Sequence, residues 1–140
     1  YEAQRRPCAV LLRQDADCSI QGNRELLSRA IENVVRNAIR YTAPDTEVAV
    51  RLRESSLESE RWAVIEVTDH GPGIPEAELE HIFRPFYRLD VARSSATGGF
   101  GVGLAITERA VRLHGGTLRA INRPEGGTCI EMKFPLNTQA

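Results

Sequence analysis

A chain of 140 residues, 41% hydrophobic and 26% charged, has the size and make-up of a single folded domain (1–140) with a real core. Its net charge of −1 argues against a nucleic-acid surface or an anionic-membrane surface as its main business. No apolar run approaches membrane-spanning length, and the start is not that of a signal peptide. Tyr1 opens on an ordinary charged stretch, as an excised fragment would.

In chain order, Ala9–Leu12 and Cys18–Ile20 are short apolar runs around a polar stretch and predict a first strand pair. Asn23 is placed to cap a helix in which Leu27, Ile31, Val34 and Ala38 form one apolar stripe. That helix runs to Tyr41 and stops at the turn cluster Thr42-Ala43-Pro44-Asp45. Strands are expected at 47–53 and 62–69, both alternating, with a polar hairpin loop over 54–60. After Pro75, residues 76–82 predict a short helix with acids in its first turn. The stretch 83–99 has no clean period and reads as a long, functional or mobile loop. A third helix over 102–114 ends at Gly115-Gly116, and strands at 117–122 and 128–134 close the chain. This order predicts an α+β fold: a two-layer sandwich, its sheet mixed but mainly antiparallel, with three helices on one face. Cys8, Cys18 and Cys129 are scattered, without Cys-x-x-Cys, and read as reduced buried thiols.

Three blocks carry chemistry. On the first helix, Asn33 and Asn37 lie roughly 40° apart, with Arg40 and Tyr41 a turn later on the same side. They border the apolar stripe, where an edge lines a cleft. An amide oxygen suits Mg²⁺, which takes few protein ligands and leans on phosphate, and Arg40 can neutralise phosphate charge. The plain alternative is two solvent-facing asparagines. Asp69 ends a strand before Gly71 and Gly73, where a carboxylate can accept from an exocyclic amine such as that of adenine; the alternative is an ordinary Asp-x-Gly turn. Gly99, Gly101 and Gly103 precede a helix whose free amides attract phosphate; the alternative is a flexible hinge. No Gly-Lys-Ser/Thr follows, so this is not a Walker A loop, and no strand precedes it as a Rossmann turn requires. Arg88 and Arg93 sit upstream, as lid arginines for phosphate or as plain surface residues.

Taken together, the blocks resemble the ATP-binding domain of sensor histidine kinases, within the Bergerat-fold ATPases that include gyrase, Hsp90 and MutL. Asn33–Tyr41 resembles the N box, Asp69–Ile74 the G1 box, Phe83-Arg84-Pro85-Phe86 the F box, Gly99–Leu104 the G2 box and Gly127-Thr128 the last motif. The runs 22–27, 82–88 and Asn37–Tyr41 look closest to envelope-stress sensor kinases of Gram-negative bacteria. The resemblance implies that Asn37 binds Mg²⁺ and that Asn33, Arg40 and Tyr41 contact phosphates or the nucleotide edge. It implies that Asp69 accepts from adenine in a pocket shaped by Gly71, Gly73 and Ile74, with Thr128 nearby. Arg88 and Arg93 would be lid contacts, and Gly99, Gly101, Val102, Gly103 and Leu104 the lid's base. Asn33, Arg40, Arg88 and Arg93 would then be the catalytic set. Val102 stands where the family often has Leu, and keeps an apolar anchor.

Relatives that hydrolyse ATP place a Glu four residues before the metal-binding Asn. Here that position is Asn33, which cannot act as a base, and the neighbouring Glu32 is turned away by roughly 100°. This favours phosphoryl transfer to a nucleophile that arrives ready, such as a neutral imidazole. None of the three histidines, His70, His81 and His114, sits in the family's phosphoacceptor context. The expectation is therefore a Mg-ATP-binding half of a kinase, in the cytoplasmic part of a bacterial inner-membrane protein, itself without membrane or nucleic-acid contact. Its partners would be the parent's own histidine-bearing dimerisation domain, in a homodimer, and a cognate response regulator. The alternatives are a Bergerat-fold serine kinase or ATPase of the anti-sigma or gyrase, Hsp90 and MutL type, and a nucleotide-binding docking module.

Overall fold

A computed structural model of the chain describes residues 8–85 and 100–136. The elements are β1 (Cys8–Gln14), α1 (Arg24–Tyr41), β2 (Thr46–Leu57), β3 (Glu60–Thr68), a single 3₁₀ turn (Glu76–Glu78), α2 (Phe100–Leu113), β4 (Thr117–Asn122) and β5 (Thr128–Pro135). The strands form one sheet in the order β1-β2-β3-β5-β4. β1 pairs parallel with β2, and the other three pairings are antiparallel. The sheet is thus mixed and mainly antiparallel, as the sequence predicts.

α1 begins where Asn23 accepts from the Leu26 amide at 3.0 Å, which satisfies one of the donors a helix start leaves free. Its apolar stripe buries Ala30, Val34 and Ala38. α2 packs beside it, and buried Thr107 donates to the Ala30 carbonyl at 3.1 Å across the helix pair. Beneath both helices, one face of the sheet supplies Val48, Val67, Leu118, Ile130, Met132 and Phe134, which close the core with Ile82, Leu104 and Val111.

The opposite sheet face is closed by charge. The register puts Arg13, Arg51, Glu66, Glu131 and Arg119 in one row across all five strands. Glu131 is only 6% exposed, between Arg119 at 2.8 Å and Arg53 at 3.7 Å. The aliphatic stems of such arginines cover apolar surface while their heads stay wet. Val64, flanked in register by Arg53 and Lys133, is fully buried on this charged face.

Four expectations need correction. Cys18–Ile20 is not a strand; β1 pairs with β2 instead, and a parallel partner needs the long crossover that 15–45 supplies. The helix expected at 76–82 is only the 3₁₀ turn followed by further turns, because Pro75 provides no side-chain cap and the segment is too short to propagate. Two α-helices, not three, are therefore found among the described residues. The loop expected at 54–60 shrinks to Glu58-Ser59: β2 and β3 run on, joined by the Arg61–Glu54 pair at 2.5 Å. The cysteines are free thiols, half-buried rather than buried. The lid expected within 83–99 falls almost wholly outside the described residues.

Phe134 is the largest fully enclosed side chain on the sheet's helix-facing side. Phe134→Ala is expected to cost about 3–5 kcal/mol of unfolding free energy, read as a lowered denaturant midpoint.

Candidate nucleotide site

A cleft opens between the C-terminal half of α1, the loop after β3 and the start of β5. Its apolar walls are Val34, Ala38, Ile74, Ile82 and Ile130; Asn37, Tyr41, Asp69 and Thr128 bring polar groups, and Pro72 and Gly73 complete the rim. A mostly apolar cleft with a few convergent polar groups suits a flat heterocycle with a polar edge.

Asp69 is 8% exposed at the end of β3. Its Oδ1 accepts from the Gly71 amide at 2.8 Å and from the Thr128 amide at 3.2 Å, while its own amide donates to the Thr128 carbonyl at 2.9 Å. Among the described residues both side-chain bonds end on Oδ1, which leaves Oδ2 to accept from a ligand. Burial pushes the Asp69 carboxyl above the usual carboxylate range; the Gly71 and Thr128 amides and the Arg123 charge oppose this without cancelling it.

Two glycines make this arrangement possible. A Cβ on Gly71 would meet the Tyr41 carbonyl oxygen at 2.4 Å, so the loop can lie against the end of α1 only without a side chain there. Gly127 has φ +94°, and a Cβ on it would meet the Asp69 carbonyl oxygen at 2.0 Å. A hydroxyl relay fixes the same junction from the helix side. The His70 amide donates to Thr42 Oγ1 at 2.9 Å, and Thr46 Oγ1 donates to the Ala43 carbonyl at 2.5 Å. Thr46 has then used its one hydrogen, so Thr42 is the donor in the 2.7 Å bond between the two hydroxyls.

Of the residues singled out from sequence, Asn37, Tyr41, Asp69, Gly73, Ile74 and Thr128 meet on this cleft. Asn33 and Arg40 are half-buried on α1 beside it and do not line it, and Gly71 lies behind Asp69. Leu104 is 1% exposed and belongs to the core. Gly101, Val102 and Gly103 fall in the first turn of α2. Arg88, Arg93 and Gly99 lie outside the described residues. Glu32 is exposed while Asn33 is half-buried, so the acid does point away. Among the lining residues Asp69 is the sole acid. Sequence reasoning missed Thr42, Asn122 and Arg123, which hold the loop through contacts 28, 48 and 54 positions distant. No local pattern signals such contacts. The amide of Asn37 offers the hard neutral oxygen that Mg²⁺ accepts. Among the described residues no three His, Cys, Asp or Glu side chains cluster, so an ion beside Asn37 would take most of its ligands from phosphate and water.

Over residues 22–138 the chain matches the family model described as histidine kinase-, DNA gyrase B- and HSP90-like ATPase. It is 41% identical over 117 residues to the sensor histidine kinase CpxA of Escherichia coli K12, covering 84% of this chain and 24% of CpxA. It is 38% identical over 135 residues to the sensor protein PfeS of Pseudomonas aeruginosa, covering 96% of this chain and 28% of PfeS. The solved mycobacterial sensor histidine kinase MprB has the same fold, with a TM-score of 0.79 and 30% identity over 98% of this chain and 88% of that one. The chain thus spans about a quarter of the length of the curated relatives it matches. No described helix is long and apolar enough to cross a membrane.

Because Asp69 holds its proton more tightly folded than unfolded, the folded state binds more protons between the ordinary carboxylate pKa and the raised one. Stability should fall as pH rises through that window, and Asp69 should add no slope on either side of it, the loss persisting above. Melting wild type and Asp69→Asn across acidic to neutral pH checks this: the difference between the curves should move in the variant's favour as pH rises. A flat or opposite difference would remove the burial argument.

Proposed function

Because this chain belongs to the histidine kinase-, DNA gyrase B- and HSP90-like ATPase family, we propose that it binds Mg-ATP and donates the γ-phosphate to a histidine on a separate dimerisation domain of its parent protein. The observation that carries the reading is the pairing of a buried carboxylate, Asp69, with an amide ligand, Asn37, on the two sides of one largely apolar cleft.

Asp69 Oδ2 accepts from the exocyclic amine of adenine, while Gly73, Ile74, Ile82 and Ile130 enclose the ring. Asn37 would hold Mg²⁺, which would supply charge stabilisation to the phosphates. Asn33 and Arg40, on the same side of α1, face the phosphates, and Arg40 offsets their charge. Arg88 and Arg93, outside the described residues, are assigned to the phosphates by the family resemblance alone. The chemistry asked of these residues is placement and charge stabilisation; a neutral imidazole needs no base to attack phosphorus.

Two observations support transfer over hydrolysis. Glu32 is exposed on α1, and Asp69, the one acid among the described lining residues, commits its remaining oxygen to the adenine amine, so no second described carboxylate lines the cleft to activate water. The likeness to CpxA supports an envelope-stress sensor kinase of the inner membrane, with this domain in the cytoplasm and a response regulator as the further partner.

The test is incubation of the chain with Mg and γ-labelled ATP, alone and with a histidine-bearing hairpin from a related sensor kinase. Label should reach the hairpin, with negligible phosphate release by the chain alone. Steady multiple-turnover phosphate release without transfer would overturn the kinase reading in favour of an ATPase. Asn37→Ala should weaken Mg-dependent ADP binding about tenfold or more by calorimetry, with little change in the thermal midpoint of the free protein.

A further inference from the structure

The last residue of β4, Asn122, and the first residue of the turn that follows, Arg123, direct their polar groups back at the loop that forms one wall of the cleft. Asn122 shares a sheet face with core residues Leu118 and Ala120. Its carboxamide pairs twice with the backbone of Ile74: Oδ1 accepts from the Ile74 amide at 2.9 Å, and Nδ2 donates to the Ile74 carbonyl at 2.5 Å. The side chain thus does for Ile74 what a neighbouring strand would do. Arg123, only 19% exposed, donates through Nη1 to the Asp69 carbonyl at 3.1 Å and to the Gly126 carbonyl at 3.1 Å. The same nitrogen lies 3.3 Å from His70 Nδ1, which must accept there, and Nη2 meets Glu125 at 3.2 Å.

Two consecutive residues at the end of β4 therefore grip the first and last residues of the 69–74 segment. That segment contains Gly71 and Gly73, the residues with the most backbone freedom to lose. Left untied, it would let the Asp69 carboxylate and the Ile74 side chain wander. Hydrogen bonds weaken steeply with distance and angle, so an acceptor that discriminates between ring substituents must be fixed.

We propose that Asn122 and Arg123 are positioning residues that set the purine selectivity of the cleft. They hold Asp69 Oδ2 where a purine with an exocyclic amine is accepted, and where one with a carbonyl at that position meets like charge. Neither side chain touches the base; both act through Asp69 and Ile74. The inference rests on the ATP-pocket reading above.

The experiment titrates the whole chain with MgADP and MgIDP by calorimetry, because inosine differs from adenosine at that ring position in carrying a carbonyl for the amine. Asn122→Asp keeps the acceptor for the Ile74 amide but sets a carboxylate oxygen against the Ile74 carbonyl. Arg123→Lys keeps the charge beside Asp69 and loses the planar fork. Wild type should prefer ADP. Asn122→Asp should weaken ADP about tenfold while IDP changes much less, so the preference collapses. Arg123→Lys should shift the ratio in the same direction by a smaller factor, and it decides the matter if Asn122→Asp does not fold. A purely structural role would lower the thermal midpoint and weaken both nucleotides equally, which overturns the proposal, as does an unchanged ratio in folded variants. Wild-type protein that binds neither nucleotide would sink the pocket reading itself, a result recognisably different from a retained preference.

Discussion

Asp69 stands at the point where β3, the end of α1 and the start of β5 converge, and its buried carboxylate dictates how they meet. One of its oxygens is bound by two backbone amides, from Gly71 and Thr128, and its own backbone pairs with Thr128. Those bonds draw the loop so tightly against Tyr41, and the β5 start so tightly against Asp69, that side chains are excluded at positions 71 and 127. The two amides do not fully compensate the loss of water, since the carboxyl remains harder to ionise than a free one. A stable core would be better served by an apolar residue there. A recognition site is better served by an acceptor that is already desolvated and aimed, because its hydrogen bond is then made in a low dielectric with little reorganisation.

From that junction the rest of the site follows mechanically. The Thr42–Thr46 relay ties the helix that carries Asn37 to the amide of His70, next to Asp69. The end of β4 and the turn after it tie Ile74 and Asp69 from the other side. The helix edge and the Asp69 loop are therefore parts of one frame. A shift of either would break bonds that the other depends on. The frame is supported from below by the shared core of α1, α2 and the sheet, and the sheet's second face is sealed by the arginine and glutamate row. Such a sheet tolerates water on that face because its charged side chains pair across strands and shelter the apolar residues between them.

Much of this is legible in one dimension. The helix pattern from Asn23 to Tyr41 is strong because its cap and its stripe are both local. The alternating strands are equally local, and so is the grouping of Asn37, Asp69, Gly73 and Thr128 into motifs whose order matches a known family. The misreadings occur where local signals are weak or decided at a distance. Cys18–Ile20 has the composition of a strand, but β2 offers its edge to β1 in parallel. The segment after Pro75 has helical composition, but it is spent on burying Ile82 rather than on building turns.

The sequence by itself determined the α+β class and the boundaries of α1, and it grouped Asn37, Asp69, Gly73 and Thr128 as candidates for one site. These depend on residue type and on spacings of a few positions, which helix and strand periodicity convert directly into faces. Only the tertiary structure decided which members of the motifs share the cleft and which, like Leu104, serve the core. It alone revealed that Thr42, Asn122 and Arg123 hold the Asp69 loop, because a hydrogen bond between residues tens of positions apart has no periodicity and exists only once the sheet order is set.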